Sequence, residues 1–221
     1  MSTIVLDICK EGFTSETCGG MDFIQKNTHG KHEIIFLTTV PFIRVGLLKN
    51  CIRDKLLHEI SSFRNRKYLL IACHTLSSTI LDLILRHNNL LNGMKVFEPI
   101  VPACMHIQKK KYKNILIMST AVTARVRWHA RLLESNVTYI TFDQLHAAID
   151  NNDVNGIEKE LKRLSARQNF ISTCDCVLLG CTHFNIIKKT ISKHLCQNHF
   201  KGTILDSNRI LKNYVKKKLL L

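Results

Sequence analysis

Two cysteines stand where an apolar run meets polar chemistry. The stretch from Cys176 to Phe184 reads CVLLGCTHF, and its apolar part stops abruptly at Cys181, Thr182 and His183. A short run of this kind reads as a buried parallel strand. The residues that follow, FNIIKKTISKHL, place Ile186, Ile187, Ile191 and Leu195 at helical spacing, so Cys181, Thr182 and His183 fall in a strand-to-helix turn. YLLIACHTLSS repeats the pattern half a chain upstream. It has an apolar strand, then Cys73, His74 and Thr75, then a helical run through Leu76, Ile80, Leu83 and Ile84. Turns of this type are where α/β sheets bind ligands and where helix-terminal N–H groups favour anions.

A thiolate is both a base and a nucleophile. One cysteine beside a histidine suggests a nucleophile–base pair, as in thiol hydrolases. Two equivalent cysteines on opposite walls suggest a proton removed from one face of a carbon and returned to the other. Each then acts as general base in one direction and general acid in the reverse. Thr75 lies two places after its cysteine and Thr182 one place after, and either could hold a substrate carboxylate through hydroxyl and backbone N–H donors. Blander readings exist. A single cysteine closing an apolar strand is usually a small core residue. Cys174, Cys176, Cys181 and His183 are zinc-type donors, but the strand between them holds the first two away from the last two. The duplicated context favours the two-face chemistry.

These turns need a scaffold. IVLDI reads as a first buried strand ending near Asp7, and EIIFLTTVPF as a second that Pro41 terminates. Leu47 to Phe63 has helical spacing. MKVFEPIV is a short strand broken by Pro99 and Pro102, and VPACMHIQKKK a connecting helix. NILIMSTAVT opens as a strand and turns into a helix through Arg125 to Leu133. VTYITFD is the next strand, and a helix capped by Asp153 starts near Val154. GTILDS is the last strand, and Ile210 to Leu221 a closing basic helix. The halves match strand for strand: IVLDI with NILIMS, EIIFLTT with VTYITFD, YLLIACHT with VLLGCTH, KVFEP with TILDS. The fold class expected is therefore α/β, with two pseudo-symmetric lobes, residues 1–98 and 99–221. Each is a four-stranded, mostly parallel sheet flanked by helices. A pseudo-twofold would bring the two cysteine turns together across a cleft.

Composition narrows the class. Hydrophobic content of 45% and charged content of 22% are ordinary globular values. No apolar run is long enough to span a bilayer, and MSTIVLDICKEG lacks the basic start of a signal peptide. The nine cysteines are an odd count, several of them inside apolar runs, which points to reduced thiols and a cytoplasmic setting. The net charge of +15 invites a nucleic-acid reading. The positives are scattered, however, apart from KKKYK at Lys109 to Lys113 and the tail VKKKLLL. An acidic substrate or a solubilising surface explains the excess as well.

At these residues the chain resembles the aspartate/glutamate racemase superfamily, and within it the glutamate racemases. Ala72-Cys73-His74-Thr75 is similar to the family's Ala-Cys-Asn-Thr, and Leu179 to Phe184 carries its Leu-Gly-Cys-Thr-His-Phe intact. Leu205-Asp206-Ser207 resembles the late Ile-Asp-Ser, and Ser119 to Thr123 the Ala-Thr-x-Gly-Thr segment. The resemblance implies that Cys73 and Cys181 are the acid/base pair, with Asp7 and His183 as their polar partners. Thr75, Thr182, Thr120, Thr123, His74, Pro41 and Phe42 would line the substrate site. It further implies that Cys73 is the base for the D-isomer and Cys181 for the L-isomer. The reaction implied is inversion of the α-carbon of an acidic amino acid, glutamate first, with no cofactor. The partners implied are that small acidic substrate and a second copy of the chain in a homodimer, with no membrane. Asp7-Ile8-Cys9 stands where the family has Asp-Ser-Gly, and Pro41-Phe42-Ile43 where it has Pro-Tyr-Gly. No clear counterpart of Val-Pro-Leu-Val-Glu follows Phe142. Two alternatives stay open: a racemase of aspartate or a related α-substituted acid, and a catalytically degenerate relative with a binding role, nucleic acid included.

Overall fold

A computed structural model of the chain describes residues 3–7, 32–36, 68–86 and 95–219. Pro41, Phe42 and the helical pattern of residues 47–63 lie outside the described residues. Strands β1 (Thr3–Asp7), β2 (His32–Phe36), β3 (Tyr68–Ile71) and β4 (Lys95–Phe97) form a parallel sheet in the order β2-β1-β3-β4. Strands β5 (Asn114–Ser119), β6 (Asn136–Thr141), β7 (Cys176–Gly180) and β8 (Thr203–Asp206) form a second parallel sheet in the order β6-β5-β7-β8. The two orders are the same pattern, as the repeat of strand motifs requires. In each, the cysteine-bearing strand is the third in sequence and occupies an interior position.

Helices bridge the strands, as parallel neighbours demand. Helix α1 (His74–Arg86) follows Cys73, and α2 (Ile100–Lys110) leads from β4 to β5. The helix expected after β5 is in fact two, α3 (Ala121–Val126) and α4 (Trp128–Leu132). Arg127 separates them at φ 59°, a left-handed conformation in which its N–H still bonds Thr123 O. Such a break without glycine leaves no compositional mark. A short helix α5 (Leu145–Asp150), not expected from the pattern, precedes α6 (Val154–Lys162). Asp153 caps α6 as expected, its Oδ1 accepting from Gly156 N at 2.9 Å. After a turn of 3-10 helix (Arg163–Arg167) comes α7 (Gln168–Ile171). Beyond Cys181 the chain first makes a 3-10 turn (Thr182–Asn185), so α8 (Lys188–Gln197) starts later than the spacing suggested. Helix α9 (Ser207–Leu219) closes the described chain.

Strand β7 is buried on both faces, and its alternation divides the core. Val177 and Leu179 join Leu116, Met118, Phe142, Phe184, Ile191 and Leu195 on one side. Cys176 and Leu178 join Ile115 and Ile117 on the other, with Ile100, Ala103 and Ile107 of α2 and Leu81 of α1. Elements from the first half of the chain therefore complete the core of the second sheet. Each fully buried Leu or Ile contributes about 1.5–3 kcal/mol relative to exposure. Ser207 Oγ donates to Leu179 O at 2.7 Å, which ties the start of α9 to β7 two residues before Cys181. No helix among the described residues is long and apolar enough to cross a membrane.

Candidate active site

Cys73 occupies the junction between β3 and α1. Ser77 N donates to Cys73 O at 2.9 Å, and Leu76 N approaches Cys73 Sγ at 3.5 Å. The sulfur thus sits at a helix start, where the exposed N–H groups and the helix dipole favour negative charge. Asp7 is the last residue of β1. The β1–β3 register pairs Leu6 with Ile71, so Asp7 is level with Ala72, one residue before Cys73.

Cys181 leaves β7 in extended conformation and is 7% exposed. Its Sγ lies 3.8 Å from His183 Nδ1, and His183 Nε2 lies 3.2 Å from Asp150 Oδ1. Thiol, imidazole and carboxylate are thus in file. Burial pulls the His183 pKa down, but Asp150 and then Cys181 more than offset this and hold it well above the ordinary histidine value. The charged form of the ring is thereby favoured, set against the sulfur. Thr182 is buried beside it, in the 3-10 turn.

The two turns converge at Thr120. The β5–β7 register pairs Ser119 with Gly180, so Thr120 and Cys181 leave neighbouring strands side by side. Adjacent strands run about 4.8 Å apart. From the first turn of α1, Thr75 Oγ1 meets Thr120 Oγ1 at 3.0 Å. Thr120 Oγ1 also contacts Thr123 Oγ1 at 3.3 Å, and Ser78 Oγ donates to Thr123 Oγ1 at 3.4 Å. A chain of hydroxyls from α1 to α3 therefore joins the first cysteine turn to the ends of β5 and β7. Four of the residues the motifs singled out, Thr75, Thr120, Thr123 and Cys181, are brought into this region.

No protein-family model matches the chain. A curated glutamate racemase of Clostridium kluyveri is 30% identical over 165 residues, covering 68% of this chain and 62% of the relative. The chain thus spans less than two thirds of that relative's length. Among solved structures, glutamate racemase isoform RacE1 of Bacillus anthracis superposes with a TM-score of 0.77 at 17% identity, over 99% of this chain and 81% of that one. The aspartate racemase of Picrophilus torridus gives a TM-score of 0.70 at 14% identity, over 98% and 92%. In sequence and in fold the chain resembles the aspartate/glutamate racemases.

Two groups at the Cys181 side lie outside the sequence motifs. Asp150 closes α5, in the segment after Phe142 where no family counterpart was evident. His146 lies one turn earlier on the same helix, its ring 6.3 Å from that of His183. A carboxylate four residues after a histidine on a six-residue helix carries no signal until the helix is known to pack against the Cys181 turn.

His74 takes an unexpected setting. Its ring is 1% exposed and stacks on His129 of α4, with centroids 6.0 Å apart and planes at 15°. Neither ring nitrogen of either histidine finds a hydrogen-bond partner among the described residues. Burial, then the charge of the neighbouring His129, lowers the His74 pKa well below the ordinary value, and burial lowers that of His129 to about 4. Both rings are neutral at pH 7. Cys174 and Cys176 point into opposite core faces, and among the described residues no group of three His, Cys, Asp or Glu side chains is arranged to hold a metal.

Proposed function

We propose that this chain is a cofactor-independent two-cysteine racemase that inverts the α-carbon of an acidic amino acid, glutamate first. The observation that carries the reading is the convergence of two cysteine turns at Thr120. Each closes the third strand of a sheet with the same strand order, and the Thr75–Thr120 contact joins them. In this mechanism one cysteine, as thiolate, takes the α-proton, and the other, as thiol, delivers its proton to the opposite face. The product leaves the two protonation states exchanged, so the reverse reaction starts from the reversed pair. His183, held cationic by Asp150, stabilises the thiolate of Cys181. Thr75, Thr120, Thr123 and Thr182 hold the substrate carboxylate, and Asp7 serves the Cys73 side. The basic excess of the chain draws an anionic substrate toward the site.

The test is optical. Purified chain is incubated with each enantiomer of glutamate, aspartate and related α-substituted acids, and loss of circular dichroism is followed. Conversion of glutamate in both directions is expected. Conversion of aspartate alone would change the substrate, whereas no conversion of any acid together with tight, salt-sensitive binding of duplex DNA would replace the racemase by a binding protein.

A further inference from the structure

The mechanism leaves one buried carboxylate unused. Glu98 follows β4 and is 5% exposed. Its Oε2 accepts from Ser77 Oγ at 2.6 Å and from Ile100 N at 2.7 Å, and its Oε1 accepts from Val101 N at 2.7 Å. Ile100 and Val101 open α2, whose own N-cap residue, Pro99, offers no side-chain bond. The carboxylate therefore caps α2 in place of a conventional N-cap. Ser77 is fully buried in the first turn of α1, and its N–H bonds Cys73 O. A short line of contacts thus runs from the start of α2 through Glu98 and Ser77 to the backbone of Cys73. A carboxylate normally avoids such burial; here donors fill it from two helices at once.

We infer that Glu98 is a positioning residue for Cys73: by fastening the first turn of α1 to the start of α2 through Ser77, it sets where the Cys73 sulfur stands. This rests on the racemase reading, and it makes an asymmetric claim. Among the described residues the hydrogen bonds of the Glu98 carboxylate run to Ser77 and to the start of α2, not to the Cys181 turn, so its loss should impair the face served by Cys73 and spare the other. A misplacement of about 1 Å can cost on the order of 10²-fold in rate.

The experiment compares unmutated chain, E98Q and S77A for exchange of the substrate α-proton in deuterated water, starting separately from the D- and L-isomers. Gln keeps the shape but must turn its NH2 group toward a backbone N–H of α2. S77A leaves the α2 cap intact and removes only the link to α1, so it guards against an E98Q chain that fails to fold. Initial D-isomer exchange should fall about tenfold or more in both variants, with L-isomer exchange within about threefold of the unmutated rate. Trp128, the single tryptophan, donates to Ser78 O in α1 at 3.0 Å, so its emission should shift in both variants as that turn moves. Equal losses on both isomers, or no loss in S77A, would overturn the assignment of Glu98 while leaving the racemase reading intact. If the unmutated chain exchanges neither isomer, the racemase reading fails and the assignment falls with it.

Discussion

Asp150 Oδ1 lies 3.2 Å from His183 Nε2, on the side of the ring away from Cys181. A carboxylate there holds the imidazole in one orientation and keeps it charged. Asp150→Asn removes the charge, and the His183 pKa must fall. The proton that supports the Cys181 thiolate is then lost at lower pH, so the alkaline limb of kcat/KM for the L-isomer should move toward neutrality. Activity at the unmutated optimum should drop about 10²-fold. An alkaline limb that stays in place would remove Asp150 from the site.

The buried histidine pair predicts how stability depends on pH. His74 and His129 are neutral in the folded chain, with pKa values held down by burial. The unfolded chain takes up protons on both below their ordinary value of 6.5, while folded His129 refuses its proton until about pH 4. Stability should therefore fall as pH drops through that window, by a few kcal/mol. His183 acts in the opposite sense. Its raised pKa adds stability that is present below its unfolded pKa and lost as pH rises through the folded one. His129→Leu removes two orphaned ring nitrogens at similar volume, so it should flatten the acid decline. Urea unfolding at pH 5 and pH 7.5 checks this, and an unchanged difference between the two would contradict it.

Gly180 tests how tightly β7 positions Cys181. A Cβ there would stand 3.0 Å from Ile117 Cγ2 and 3.1 Å from Met118 O, both in the neighbouring strand β5. The backbone oxygen yields only if the strands move apart. Gly180→Ala should cost about 1–3 kcal/mol and should lower L-isomer proton exchange more than D-isomer exchange. Melting curves with isomer-resolved exchange measure both. A variant as stable and as active as the unmutated chain would mean the turn tolerates displacement.

The second cysteine turn was legible because intrinsic signals coincide there. An unbroken apolar run, a glycine and a polar triplet all fall within CVLLGCTHF, and the strand buried on both faces follows directly. The repeat of strand motifs likewise anticipates the common sheet order. Asp150 was not legible. It closes a helix of six residues, too short for periodicity to register, and it meets His183 only through packing. Glu98 was hidden inside what reads as a strand, since MKVFEPIV gives no hint that the carboxylate turns inward to Ser77. The break at Arg127 uses a left-handed residue that is not glycine, and so the sequence pattern there reads as one continuous helix. Local sequence records the apolar period and the turn residues; it does not record which distant side chain a buried polar group will meet.

The central claim is that Cys73 and Cys181 serve opposite faces of one carbon. The direct measurement is α-proton exchange by the two single alanine variants in deuterated water, read separately for each isomer. Taking a proton off needs one base, whereas inversion needs a donor on the other side. Neither variant should racemise. Cys73→Ala should still exchange the L-isomer slowly, and Cys181→Ala the D-isomer alone. Exchange of the same isomer by both variants, or racemisation by either at the unmutated rate, would contradict the account.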